Sequence, residues 1–278
     1  MLTASIVVHR PDPAQLRRCM ECVLACPDVA TLYIIDNSPA PACPDVASTP
    51  RVEYCHVENR GFGAGHNAAI RDALKLRPDA HLVLNADTWW EGDVIGRMAR
   101  YMAAHPDVGM MMPKVYYPDG DLQLTPRRLP APWDMIAKRF LPRSIARRRV
   151  DRYLLADADH DVIIDSPYLL GSFLLFRREA LESEGLFDER FFMYPEDIDI
   201  TRRIHANWRT LHYPDVSIVH CHAAASRRNW RMLRIHIVNM IRYFNKWGWL
   251  IDPQRRDFNR RLEAGLRPAP RPLSPRRG

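Results

Sequence analysis

The chain has 278 residues, 47% hydrophobic and 26% charged: enough, in globular proportions, to bury a full core as one large domain or two small ones. No apolar run reaches the length of a membrane span. The N-terminus enters a strand almost at once, without the charged-then-apolar pattern of a signal peptide, so a cytoplasmic location is expected. The net charge of +7 is uneven: residues 253–278 hold eight arginines against Asp257 and Glu263, residues 127–152 hold nine Lys/Arg against Asp134 and Asp151, and the remainder is acidic.

Apolar runs predict strands over Thr3–Val8, Thr31–Asp36 and Arg51–Val57, with a helix opened by Pro11 and Pro13 and reaching about Cys26. A helix over Gly63–Lys75, a strand ending at Asn85, a helix over Asp93–His105 and a strand over Val108–Pro113 complete an alternation that predicts a mostly parallel sheet with helices on both faces. Pro118-Asp119-Gly120 marks a turn, and 126–150 reads as irregular, basic and Pro-rich. Then follow a strand over Tyr168–Phe176, short helices over Arg178–Glu184 and Glu196–Asn207, a strand ending at His220 and a long helix over Ser226–Trp247. The expected division is a main domain over 1–225, with halves 1–113 and 114–225, then a helical segment over 226–252 and a basic, Pro-rich tail over 253–278. Cys19, Cys22 and Cys26 share one helix face. They read as small buried residues, since a metal site needs a fourth ligand.

Two segments carry chemistry. Leu84-Asn85-Ala86-Asp87-Thr88 puts an acid just past the carboxyl end of a buried strand, where open α/β sheets bind ligands. A carboxylate there suits Mg²⁺ or Mn²⁺, which usually also hold substrate phosphates; a loop with a helix N-cap is the alternative. In the second segment Glu196, Asp197 and Asp199 crowd a helix start. Acids there are ordinarily dipole partners. The aromatic run Phe191-Phe192-Met193-Tyr194 just before them can desolvate a carboxylate and raise its pKa toward a general base's range.

Together with Ile34-Ile35-Asp36-Asn37-Ser38, Glu58 through Asn67, Gly171 through Glu179, Gly185-Leu186-Phe187-Asp188 and Val219-His220, these segments resemble the family 2 glycosyltransferases, in particular the rhamnosyltransferase-like branch. The motifs run in the family's order from about Ser5 to Trp247. The resemblance implies a GT-A fold and a metal-dependent, inverting transfer from a nucleotide diphosphate sugar. It favours dTDP-L-rhamnose, with a UDP-sugar as the alternative, and a saccharide or lipid-linked acceptor in bacterial surface polysaccharide.

The resemblance also implies roles. Asp36 would accept from a pyrimidine N3–H, and Arg10 would approach the ribose or diphosphate. Asn59, Gly61, Gly63 and an inward-turned Asn67 would line the nucleotide pocket. Asp87 would bind the cation, with Asn85 as a neutral partner where relatives often have Asp, and His220 would complete the metal site, His222 being the competing choice. Asp197 matches the base, Glu196 would orient it or contact the acceptor, Asp199 would support the helix start or Arg202 or Arg203, and Gly171 would leave room for sugar. Val8-His9-Arg10 stands where relatives commonly have Thr-Tyr-Asn.

Three rivals remain. A nucleotidyltransferase would carry a Gly-rich basic loop after strand one, absent here. A nucleic-acid-binding protein is suggested by the basic charge, yet that charge is confined to appendages without a recognition motif; no nucleic-acid partner is expected. An inactive sugar-binding relative would lack the Asp87, Asp197 and His220 set. The basic tail, with Trp247 and Trp249 upstream, is expected to touch anionic membrane at the inner face of the plasma membrane.

Overall fold

Short aliphatic runs separated by amphipathic segments can bury themselves only as strands covered by helices, and the first 116 residues do so. The computed structural model describes residues 1–221 and 230–269. In chain order the first half holds β1 (Leu2–Val8), α1 (Pro13–Leu24), β2 (Val29–Asp36), β3 (Val52–His56), α2 (Phe62–Lys75), β4 (Ala80–Leu84), β5 (Thr88–Trp89), α3 (Val94–Ala104) and β6 (Val108–Tyr116). The second half begins with β7 (Leu122–Gln123), β8 (Pro126–Arg127), α4 (Pro132–Phe140), α5 (Arg143–Leu154), β9 (Ile164–Asp165) and β10 (Tyr168–Leu169). It continues with β11 (Phe173–Arg177), α6 (Arg178–Glu184), α7 (Glu196–His205), β12 (Arg209–His220), α8 (Trp230–Trp247) and α9 (Pro253–Gly265). Side chains cap the helix starts: Asp12 accepts from the Ala14 and Gln15 amides at the start of α1, and Asp93 from Gly96 at the start of α3.

The central sheet has the order β3-β2-β1-β4-β11-β6-β12-β5. β3, β2, β1 and β4 run parallel, β11 runs antiparallel between β4 and β6, and β12 runs parallel to β6. Alternation along β2 separates the two faces. Leu32 and Ile34 join the large core with Leu16, Cys19 and Val23 of α1, while Tyr33 and Ile35 pack on Ala69 and Ala73 of α2. Register pairs Val8 with Asp36 and Ile6 with Leu84, so the ends of β1, β2 and β4 reach one edge together. His81 sits inside the apolar run of β4. Its ring nitrogens meet the Thr3 and Ser5 hydroxyls at 2.8 Å, and burial pushes its pKa down to about 3, so it is neutral.

Three expectations need correction. Residues 126–150 are not irregular: they supply α4 and α5. Pro132 opens α4, where Asp134 accepts from the Ala131 amide at 2.7 Å; α4 is short, and in α5 five arginines in twelve residues hide the apolar spacing. The expected strand over 168–176 breaks at Gly171-Ser172 into β10 and β11. The tail is not one free appendage. Its first half is α9, whose Phe258 and Leu262 are buried, and Asp252 at the α9 N-cap takes two bonds from Arg202 of α7, at 2.6 and 2.8 Å. Both partners are buried, and the Arg202 guanidinium lies 4.0 Å over the Trp247 ring. Residues 270–278 lie outside the described residues. A second core of Leu129, Tyr168, Phe191, Tyr243 and Phe244, reached by Phe258 of α9, underlies this half.

Candidate active site

The antiparallel pairing of β5 with β12 sets Thr88 opposite His220, which brings Asp87 beside the end of β12. His220 Nε2 lies 3.4 Å from Asp87 Oδ1 and 3.2 Å from Asn85 Nδ2. Gln123 fixes the ring: its Oε1 meets Nδ1 at 3.0 Å, and its Nε2 donates to the His220 carbonyl at 2.7 Å. An amide oxygen only accepts, so Nδ1 carries a proton, and in the neutral ring this tautomer leaves the Nε2 lone pair on the Asp87 side. One carboxylate oxygen and one imidazole nitrogen, with a partner orienting the imidazole, fit a divalent cation. Among the described residues no group of three or more His, Cys, Asp or Glu is arranged to hold a metal, so the protein donors to a cation here would be this pair alone. His222 lies outside the described residues. Cys19 and Cys26 are buried as expected, while Cys22 is only partly buried; the Cys19 thiol donates to the Asn85 carbonyl at 3.5 Å and is pushed up to about 12 by burial.

The residues expected to hold the nucleotide divide. Arg10 is exposed at the carboxyl edge, its amide donating to Ser38 Oγ at 2.7 Å. Asp36 is fully buried; its carboxylate accepts from the Ser38 and Ala42 amides and from Tyr54 Oη, at 2.9, 2.6 and 2.7 Å. Burial works to raise its pKa, but these donors outweigh it and hold the carboxyl below its ordinary range. Asp36 thus builds the 37–42 loop. Asn59 turns its side chain onto the Gly61 amide at 3.2 Å. Gly61 has φ +106, and a Cβ there would lie 2.3 Å from the Phe192 carbonyl oxygen, so its bareness is required by contact with the aromatic segment. Gly63 similarly faces Phe187 and Glu196. Asn67 does not turn into an open pocket. It donates to the Phe187 carbonyl and Glu189 and accepts from the Phe187 amide, which spends its amide on the 187–189 loop.

Across this loop stand the paired acids. Tyr194, at φ +94, bends the chain into Pro195 and α7, and both Glu196 and Asp197 are buried in its first turn. Asp197 Oδ2 accepts from the Gly171 amide at 3.1 Å and Tyr168 Oη at 3.4 Å, and Oδ1 from the Ile198 amide at 2.8 Å. Burial raises its pKa to about 6, against the pull of these donors and of Arg127. Burial, then the Asp197 charge, pushes Glu196 well above the ordinary carboxylate range, and its Oε2 finds no hydrogen-bond partner among the described residues. A Cβ on Gly171 would lie 3.2 Å from Asp197 Cβ, so only glycine lets its amide come this close without displacing the acid. The next residue, Ser172, accepts from the Asn85 amide at 3.0 Å. The break in the expected strand therefore ties the two halves of the site together.

A family model described as glycosyltransferase like family 2 matches residues 3–237. The chain is a family 2 glycosyltransferase. The N-acetylglucosaminyl-diphospho-decaprenol L-rhamnosyltransferase of Mycobacterium tuberculosis is 26% identical to it over 245 residues, 82% of this chain and 78% of that one. The structure of GalNAc-T7 with UDP, GalNAc and Mn²⁺ superposes with a TM-score of 0.60 at 16% identity over 79% of this chain, which spans 43% of that one. The mannosyltransferase PcManGT of Pyrobaculum calidifontis, with GDP-Man and Mn²⁺, superposes with a TM-score of 0.56 at 16% identity over 95% of this chain and 74% of that one. These likenesses establish the GT-A fold.

Several residues of the glycosyltransferase's site escape sequence reasoning. Arg127 counts only as basic charge in the sequence, yet it reaches Tyr168 Oη at 3.4 Å, beside Asp197. Gln123 follows a turn and carries no motif. Tyr168 lies in an apolar run. Asp199 does support the helix: it takes Arg203 at 2.9 Å, Lys246 at 2.7 Å and Trp247 Nε1 at 2.8 Å, whereas Arg202 goes to Asp252.

Proposed function

We propose that this glycosyltransferase moves a sugar from a nucleotide diphosphate donor to a saccharide hydroxyl with inversion, Asp197 acting as base. The single observation that carries this reading is the Gly171-Ser172 bridge. One residue of it holds a carboxylate poised near neutrality, and its neighbour holds the Asp87 and His220 segment. The donor would lie along the carboxyl edge, its diphosphate toward Asp87 and His220, with Arg10 beside it. When bound there, a divalent cation offsets the charge that builds on the departing diphosphate. The acceptor oxygen attacks the anomeric carbon as the bond to the diphosphate breaks, and the diphosphate leaves with that electron pair. The acceptor proton passes to Asp197, whose Oδ1 carries a single amide donor. Glu196 Oε2 and Ser172 Oγ, both buried without partners among the described residues, are available to hydroxyls of an acceptor sugar. Asp36 shapes the base-binding loop.

The M. tuberculosis relative favours L-rhamnose from dTDP-L-rhamnose as the transferred sugar and a lipid-linked saccharide as the acceptor; a UDP-sugar is the second reading. The test is release of nucleoside diphosphate from a panel of nucleotide sugars with candidate acceptors, with and without chelator. Turnover with dTDP-L-rhamnose that stops in EDTA and returns with Mn²⁺ or Mg²⁺ is expected. Full turnover in EDTA would remove the cation, and preference for a UDP-sugar would replace the donor.

A further inference from the structure

A helix on a protein surface ordinarily turns polar residues outward. α8 does the opposite along one stripe. Trp230, Ile237, Val238 and Ile241 are 85%, 41%, 39% and 42% exposed, while the other side gives Met240, Tyr243 and Phe244 to the second core. The stripe continues beyond the helix. Gly248, at φ +102, turns the chain, and Leu250 and Ile251 stand 70% and 78% exposed. Trp249 Nε1 donates to Asn245 Oδ1 at 2.8 Å, which keeps its ring next to α8. Arg255 joins this turn to the start of α4, its guanidinium reaching the Trp249 and Pro130 carbonyls at 3.4 Å each. α4 then adds Trp133, 58% exposed, and Ile136.

Basic residues predominate around this surface, although Lys246, Arg147, Arg149 and Arg152 are paired with acids. Residues 230–251 hold four basic residues and no acid, and residues 132–154 hold seven basic residues against two acids. The Arg234 and Arg242 positions on α8 are exposed. Exposed isoleucine, leucine and tryptophan beside the exposed Arg234 and Arg242 complement a layer of hydrocarbon beneath anionic phosphates. Nucleic acid would use the arginines but leave the aliphatic stripe in water. Among the described residues no helix is long and apolar enough to cross a membrane, so a bilayer contact here lies in the interfacial plane. The inward side of α8 also meets the segment leading to the paired acids. Asn239 Nδ2 donates to the Met193 carbonyl at 3.0 Å, and the His236 ring meets Tyr194 edge-on at 4.7 Å.

We infer that the outer stripe of α8, the Trp249–Ile251 turn and the first turns of α4 form one peripheral docking surface for an anionic phospholipid bilayer. It lies about one helix diameter, ~10 Å, from the segment that delivers Glu196 and Asp197, so docking presents the acid pair to an acceptor held in the same bilayer. That last step rests on the lipid-linked acceptor proposed above; the docking does not. The surface is built from residues 133–136 and 230–251, upstream of the basic 253–278 segment.

The test uses the full chain and vesicles of phosphatidylcholine with about 30 mol% phosphatidylglycerol. The protein should sediment with these vesicles, less with pure phosphatidylcholine, and less as salt rises. Leu250→Asp with Ile251→Asp, at exposed positions outside the core, should cut partitioning by at least about tenfold while leaving thermal unfolding and turnover on a soluble acceptor unchanged. Ile241→Asp, on α8 itself, should act in the same direction. A wild-type protein left in the supernatant overturns the proposal, as does a double variant that sediments like wild type. So does a wild-type dimer that the double variant splits, since a second copy would then cover the stripe. Vesicle binding without transfer to a lipid-linked acceptor would overturn the acceptor reading and leave the surface standing.

Discussion

Gln123 grips His220 at two points, accepting from the ring Nδ1 at 3.0 Å and donating to the backbone carbonyl at 2.7 Å. The pair fixes both the ring's tautomer and its rotation, and Nε2 is thereby presented beside Asp87. Outer partners of this kind typically change metal affinity by about 10–100-fold. Gln123→Met, which keeps the volume and removes both bonds, is expected to raise the half-saturating Mn²⁺ concentration by about that factor. Activation curves with Mn²⁺ measure it; an unchanged midpoint would mean that His220 is held by something other than Gln123.

Asp197→Asn is expected to lower kcat by roughly 10²–10⁴, the usual worth of a positioned general base. Donor affinity should stay near wild type, because the acid faces the acceptor side. Titration calorimetry with the nucleotide separates the two effects. Near-normal turnover in this variant would move the base to Glu196.

The pH dependence follows from the same carboxyl. With a pKa raised to about 6 by burial, the fraction of Asp197 able to take a proton falls as pH drops through that value. The acid limb of kcat/KM should therefore lie near pH 6. Arg127 holds the pKa down, so Arg127→Met should shift the limb upward and Arg127→Lys should largely restore it. A limb that ignores Arg127 would dissociate it from the Asp197 carboxyl.

Glu196→Gln should stabilise the fold. The buried acid has a folded pKa well above its unfolded value, so the folded state binds the extra proton and loses stability as pH rises past about 4.3, the unfolded value. Glutamine mimics the protonated form and escapes that loss. Melting at pH 8 should rise by about 2–4 °C for each kcal/mol recovered, and the gain should vanish near pH 4. Equal melting temperatures for the two proteins at pH 8 would count against a buried, partnerless Glu196.

Asp252 locks α9 to α7 through Arg202, and both partners are buried. Asp252→Ala leaves the guanidinium unpaired there, a change that usually costs about 3–5 kcal/mol. Chemical denaturation should show that loss, and limited proteolysis should cut α9 faster. Truncation at residue 252 should also destabilise the protein, because it removes the buried Phe258 and Leu262.

The first half of the fold was legible because each strand is a short apolar run and α1 and α3 begin at a proline or a capping acid, all local signals; α2 has only its apolar spacing. The site acids were legible for the same reason: Asp87 follows a strand and Glu196-Asp197 follow an aromatic run. α5 was not, because five arginines in its twelve residues drown the apolar spacing, and α4 was not, because nine residues are too few to show a helical period. Asn67, Gly61 and Gly63 read as part of a ligand cradle, and the tertiary structure packs them on the 187–196 segment, more than a hundred residues away. Gln123, Arg127 and Tyr168 gain meaning only from what the sheet brings beside them. Sequence by itself determined the elements of the first half, the family and the reactive groups, since periodicity and residue chemistry are properties of neighbouring positions. The pKa of Asp197, the tautomer of His220 and the packing of α9 were decided by the tertiary structure alone, because desolvation and long-range hydrogen bonds exist only once distant segments share one interior.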